Sequence, residues 1–242
     1  MPAEEDRPSL MPVPRSFKPV PYYATLIYAA YYAPGGRPEF CLRGDGTLGP
    51  GRAGRRNARP DRAVIAYAAK CREAFKGTPV VIGGIEASLR RFAHYDYWSD
   101  GMRRSVLLDS KADLLVHGMG EKALLEIARR LAAGEPASGI RGVRGTAWRT
   151  SRREDWPAGA AELPPWAAVS APGEPGFAAY AESFRVQHLN ADPYSGRPLV
   201  EESEGRFVVQ EPPALPLGAA ALDRLYEAPY ERAAHPAYEA FG

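Results

Sequence analysis

The sequence predicts an α/β protein: a partial doubly wound, parallel sheet followed by a proline-rich, extended connector with short helices. Three observations carry this expectation. Two short apolar runs, Pro79–Ile82 (PVVI) and Leu114–Val116, each end at a glycine-bearing turn. Roughly thirty residues separate them, enough for a crossover between parallel strands. Helical spacing precedes the first run and follows the second, so the order is helix, strand, helix, strand, helix.

Taken in order, Tyr22–Tyr32 (YYATLIYAAYY) is an apolar, aromatic island, either a strand or a short helix, stopped by Pro34, Gly35 and Gly36. Gly44–Pro60 reads as loop. Residues 1–59 are thus an irregular N-terminal segment. From Pro60 the pattern changes. Val64, Ala68, Cys71 and Phe75 recur along one helical face. Pro60 and Asp61 suit its first turn, Lys70, Arg72 and Lys76 its last, and Gly77 its stop. The uninterrupted PVVI run reads as a buried strand, central in a sheet. A short helix is expected around Arg103–Asp109. After the second strand, Leu124, Ile127, Ala128 and Leu131 line one face of a helix, with Glu121 in its first turn, Arg129 and Arg130 near its end, and Gly134 closing it.

This α/β unit spans residues 60–145, and 146–242 reads as the connector. Trp156-Pro157, Pro164-Pro165 and Pro172–Gly176 punctuate it. Within it, Tyr180, Phe184 and Leu189 have helical spacing, Arg206–Gln210 (RFVVQ) reads as a strand, and Leu222–Tyr226 as a short helix. Its apolar content predicts a segment lying on a larger surface rather than packing a core of its own.

Composition narrows the function classes. The 24 prolines and 24 glycines imply long irregular stretches. A net charge of +2 demands neither nucleic acid nor an anionic membrane. The arginines at 52, 55, 56, 59 and 62 have no aromatic platform beside them and read as a solvated basic loop, so no nucleic-acid partner is expected. No apolar run approaches the roughly 18 residues of a membrane helix, and Met1–Pro21 lacks the pattern of a secretory signal. The two cysteines, Cys41 and Cys71, suit a reducing cytoplasm better than a disulfide framework.

Candidate chemistry clusters after the two predicted strands. Gly83 and Gly84 would let backbone approach a ligand at the carboxyl edge of an open sheet, or make a tight turn. Gly118, Met119, Gly120 and Glu121 open a helix, and free N–H groups there would hold an anion or simply turn the chain. Glu86 and Arg90 are i, i+4 partners on a helix, giving a salt bridge, while Arg90 with Arg91 would clamp a carboxylate or phosphate. His94, Tyr95, Asp96, Tyr97, Trp98, Ser99 and Asp100 crowd one short loop. They read as packing against a further domain, as a substrate pocket, or, with His94 as a base oriented by Asp96, as a proton-transfer pair. No set of ligands has metal-binding spacing. His117, His188 and His235 read as structural histidines, and Cys71 as a small hydrophobe on its helix.

The runs GGIEASLRRFAHYDYWSD (Gly83–Asp100) and DSKADLLVHGMGE (Asp109–Glu121) closely resemble the N-terminal region of YgiQ-like radical S-adenosylmethionine proteins, whose reaction is not established. Pro60–Gly84, Glu182–Pro193 and Pro212–Tyr238 resemble the same family, so the likeness covers about residues 50–240 and leaves the opening outside it. The resemblance implies a degenerate, Rossmann-like version of an α/β domain that binds cobalamin in other radical enzymes. It also implies a following barrel, in cis or as a separate chain, whose CxxxCxxC motif holds a 4Fe–4S cluster that binds S-adenosylmethionine at an open iron. Cys41 and Cys71 are thirty positions apart and match no such motif. The chain is therefore expected to bind neither cluster nor S-adenosylmethionine alone, and to serve as an accessory region facing the barrel through Gly83–Asp100. The alternatives are a stand-alone nucleotide- or cobalamin-type binding module, built on Gly83, Gly84 and Gly118–Glu121, and an inactive fragment.

Overall fold

A computed structural model describes residues 41–42, 48–49, 62–97 and 99–230 of the chain. The island at Tyr22–Tyr32 lies outside them. Inside the expected loop at 44–60, β2 (Leu48–Gly49) pairs antiparallel with β1 (Cys41–Leu42).

The expected alternation is present. Helix α1 (Ala63–Ala74) leads to β3 (Val81–Ile82), α2 (Gly84–Leu89), a hairpin of β4 (His94–Asp96) and β5 (Gly101–Arg103), α3 (Val106–Asp109), β6 (Leu114–Val116) and α4 (Glu121–Ala132). Strands β3 and β6 are parallel, with Val81 opposite Leu114, and the crossover carries α2 and α3. This is the partial Rossmann-like unit. It differs from the expectation at two places. Strand β3, expected to be central, is an edge strand paired only with β6 among the described residues. The aromatic stretch after Arg91 is an antiparallel hairpin, with His94 opposite Arg103, rather than a loop.

The sheet continues past residue 145. Strands β7 (Thr146–Thr150), β8 (Ala161–Glu162), β9 (Leu199–Ser203) and β10 (Arg206–Gln210) extend it to six strands, in the order β3-β6-β7-β10-β9-β8. The added pairings are antiparallel except β8 with β9, so the sheet is mixed. Helices α5 (Trp166–Val169), α6 (Glu174–Leu189) and α7 (Ala219–Tyr226) complete the described chain. The prolines of this half sit in the connections, and its strands share the core of the first half.

Alternation along the strands divides that core in two. On one face Ile82, Leu115, Ala147, Val208 and Leu199 meet Val64 and Ala68 of α1, Ala87 of α2 and Val106–Leu108 of α3. On the other, Leu114, Val116, Trp148, Val200 and Val209 meet Ala123 and Ile127 of α4. Each fully buried Leu or Ile contributes about 1.5–3 kcal/mol. Gly176 is required where α6 crosses the end of α5, since a Cβ there would stand 1.8 Å from the Ala171 carbonyl oxygen.

Candidate functional site at the carboxyl edge of the parallel pair

Strands β3 and β6 both end at glycines with left-handed backbone, Gly84 (φ +87°) and Gly118 (φ +67°). A side chain at either would strain the turn, so both connections leave the sheet edge sharply. Gly83 is extended and caps α2, and Gly120 caps α4 with Glu121 in its first turn. The second turn is tied to helix α2, because the Gly118 N–H donates to Ser88 Oγ at 3.3 Å. That donor is therefore engaged by protein. Next to this tie the edge is apolar and open to solvent: Leu89 is 72% exposed and Met119 55%, with Ile85 also exposed one turn earlier on α2.

The two arginines after α2 part company. Arg90 Nη1 donates to Glu86 at 3.0 Å, the expected i, i+4 bridge, and Arg90 Nη2 lies 3.8 Å from Asp96. Glu86 is buried and also accepts from the Val64 amide, so it locks α2 to α1. Arg91 turns the other way, over the sheet. Its Nε donates to Gln210 Oε1 at 2.5 Å and its Nη1 to the Ser88 carbonyl at 2.6 Å. Burial lowers the pKa of Arg91 from its ordinary value.

In the hairpin, side chains alternate inward and outward. His94 and Asp96 are buried, while Tyr95 and Tyr97 are exposed. Trp98 lies outside the described residues. Asp96 accepts from Arg62 Nη2 at 2.5 Å and Nε at 3.2 Å, and from Ser99 Oγ at 2.8 Å. The Arg62 hydrogen bonds hold its carboxyl down at about 2. His94 Nδ1 sits 3.1 Å from the Phe92 carbonyl, and burial lowers the imidazole's pKa. No hydrogen bond joins His94 to Asp96 among the described residues. An expected base-and-orienter pair is thus two separately anchored groups. Tyr95 Oη donates to Asp100 Oδ1 at 2.6 Å across the turn, and this bond raises the phenol's pKa.

The sheet beneath supplies polar groups that the sequence reading passed over. Glu201, in mid-strand β9, is fully buried, and both carboxylate oxygens accept from the Ala93 amide at 2.9 and 3.0 Å. Desolvation pushes its pKa up to about 8. Gln210 is almost fully buried under Arg91. His117 comes directly after β6 and is buried, with a pKa lowered to about 4 by burial and then by the nearby Arg91 charge. The only sequence signal was a pair of acids inside an apolar stretch, Leu199–Ser203. Among the described residues no three His, Cys, Asp or Glu side chains gather at metal-binding distance. A cavity of about 280 Å³ lies elsewhere, lined by Arg153, Trp156, Val200 and Phe207 at the β8 side of the sheet.

The chain matches a family model described as radical SAM N-terminal over residues 42–241. It is 48% identical to a UPF0313 protein of Geobacter sulfurreducens over 225 residues, covering 93% of this chain and 36% of that one. UPF0313 proteins of Methanocella arvoryzae (45% over 198 residues, 82% of the chain and 32% of the relative) and Thermotoga petrophila (47% over 193 residues, 80% and 32%) are similar. The chain spans about a third of the length of the curated relatives it matches. The Geobacter match reaches into the first forty residues, further than the resemblance over about 50–240. No solved structure matches. No helix among the described residues is long and apolar enough to cross a membrane.

Proposed function

The chain belongs to the radical SAM N-terminal family, and from that membership we propose that it is the accessory region of an iron–sulfur, S-adenosylmethionine-dependent enzyme, closing over an active site carried by a separate barrel. The barrel is joined in cis or comes as a second chain. One observation carries the proposal. The carboxyl edge of the parallel pair, where open α/β sheets present their ligands, ends in exposed Ile85, Leu89 and Met119, and the hairpin that follows α2 turns Tyr95 and Tyr97 outward. A solvated edge gains nothing from such side chains, and an edge that meets another domain does.

The chain's own residues do not fit the cofactors. Its two cysteines stand thirty positions apart, and a four-iron cluster with an open iron needs three close thiolates. The 4Fe–4S cluster and S-adenosylmethionine are assigned to the remainder of the longer protein, and the role of this region is positional. Glu86, Arg90 and Asp96 hold α2 and the hairpin rigid, so that Tyr95, Tyr97, Leu89 and Met119 meet the partner in one arrangement.

Co-expression with the part of the Geobacter relative beyond its match tests this. A complex should co-elute on size exclusion, and Leu89→Asp combined with Met119→Asp should weaken it at least tenfold while leaving the chain's melting temperature unchanged. A wild-type chain that elutes alone, or a double variant that binds as well as wild type, would overturn the proposal.

A further inference from the structure

We propose that Arg91 and His117 form a binding site for an oxyanion that carries a proton, with hydrogen phosphate as its type. The site needs no second chain, so it stands or falls apart from the docking role.

Arg91 is a largely buried cation with no counter-ion among the described residues. Both groups it binds, the Gln210 amide oxygen and the Ser88 carbonyl, are neutral. Among the described residues no carboxylate lies within ion-pair distance of it, whereas neighbouring Arg62 and Arg90 each pair with an acid. The acid next along β10, Glu211, is turned to the opposite face, where it accepts from Trp148 Nε1 and the Gly142 amide. Desolvating a charge without pairing it is costly. A bound anion removes that cost, and a guanidinium fork engages two anion oxygens at once.

His117 defines which anion. It follows Val116, which faces α4, so its ring lies on the same side of the sheet as Leu115, Gln210 and Arg91. The side chain is 7% exposed. The ring bonds the Glu211 backbone, while Nε2 is buried with no hydrogen-bond partner among the described residues. A ring that donates through Nδ1 to a carbonyl presents a lone pair at Nε2. Burial and the Arg91 charge keep it neutral at pH 7. An unpaired acceptor beside an unpaired cation is satisfied by one ligand that brings negative oxygens and one O–H. Hydrogen phosphate does so. Sulfate at neutral pH has no proton to give and must first draw one onto the ring.

The test titrates the full chain with sodium phosphate and, separately, sodium sulfate at pH 7 and constant ionic strength. The readouts are the His117 ring resonances and the melting temperature. Phosphate should shift the His117 signals saturably and raise the melting temperature, and sulfate should bind more weakly by about tenfold or more. Arg91→Gln should abolish the phosphate response. His117→Gln, whose amide donates, should bring the two anions level in the melting readout. No saturable response to phosphate, an equal response to sulfate in the wild-type chain, or an undiminished response in Arg91→Gln would each overturn the site. The two-anion comparison needs no variant, so a misfolded substitution leaves it intact.

Discussion

Replacing Glu201 by Gln should remove a pH dependence that this carboxyl alone imposes. Its side chain is fully buried in the middle of the sheet, and its described hydrogen bonds come from one donor, the Ala93 amide. One amide does not offset the desolvation of a carboxylate, and the pKa rises from 4.5 to about 8. In the unfolded chain the same group ionises near its ordinary value. Below about pH 4.5 both states hold the proton and the folded state has its full stability. As pH rises toward 8 the unfolded state releases the proton and the folded state keeps it, so stability falls, by about tenfold in the folding constant per pH unit, and levels off above 8. The loss is a few kcal/mol by pH 7 and roughly 5 kcal/mol by pH 8.

Two histidines mask this at lower pH. His117 and His94 have depressed pKa values, so each makes the folded state gain stability as pH rises toward 6.5. Above that window the Glu201 slope stands alone. Glutamine keeps an acceptor for the Ala93 amide and carries no titrating proton. Urea unfolding of wild type and Glu201→Gln, followed by tryptophan fluorescence between pH 5 and 8.5, should give curves that diverge with pH, the variant becoming the more stable. Parallel curves between pH 6.5 and 8 would show that Glu201 ionises as an ordinary carboxylate in the folded protein and would refute the reasoning.

Two further substitutions probe what holds the hairpin and the second half of the sheet. Asp96→Asn leaves Arg62 and Arg90 facing a neutral, fully buried amide and should cost about 3 kcal/mol in urea unfolding at pH 7; it should also remove the wild-type loss of stability as pH falls from 3.8 through about 2. Gly176→Ala sets a methyl 1.8 Å from the Ala171 carbonyl oxygen and should force α5 and α6 apart, lowering stability by about 3 kcal/mol in a thermal melt while Gly139→Ala, with no contact under 3.5 Å, should not.

The legible elements were those whose apolar period was unbroken. Strands β3 and β6, helices α1, α4 and α6, and strand β10 all show it, with glycines marking their ends. Strands β7 and β9 did not, because Arg149, Glu201 and Ser203 sit at positions where a buried face calls for apolar residues. Together with prolines in the connections, those polar interruptions made the second half read as a connector. The site was legible in part. Glycine turns after each strand located the carboxyl edge, and spacing gave the Glu86–Arg90 bridge. The partners of Arg91 and Ala93 were hidden, since Gln210 and Glu201 lie more than a hundred residues away and only the sheet's register brings them underneath.

That register gives the buried polar groups a shared purpose. The stretch from Arg91 to His94 lies over the sheet without pairing to it, and side chains hold it from both sides. Glu201 takes the Ala93 amide, Gln210 takes the Arg91 guanidinium, and Ser105 donates to the Arg91 carbonyl. Asp96 pins the hairpin to Arg62 ahead of α1. Apolar residues at these positions would bind the segment through area alone, which fixes how much is buried but not which backbone groups meet. Hydrogen bonds to named amides and carbonyls fix its height and rotation, and therefore the outward direction of Tyr95 and the exposed edge beside it. A region whose work is to present one surface to a partner gains affinity from that rigidity, because the ordering is complete before contact.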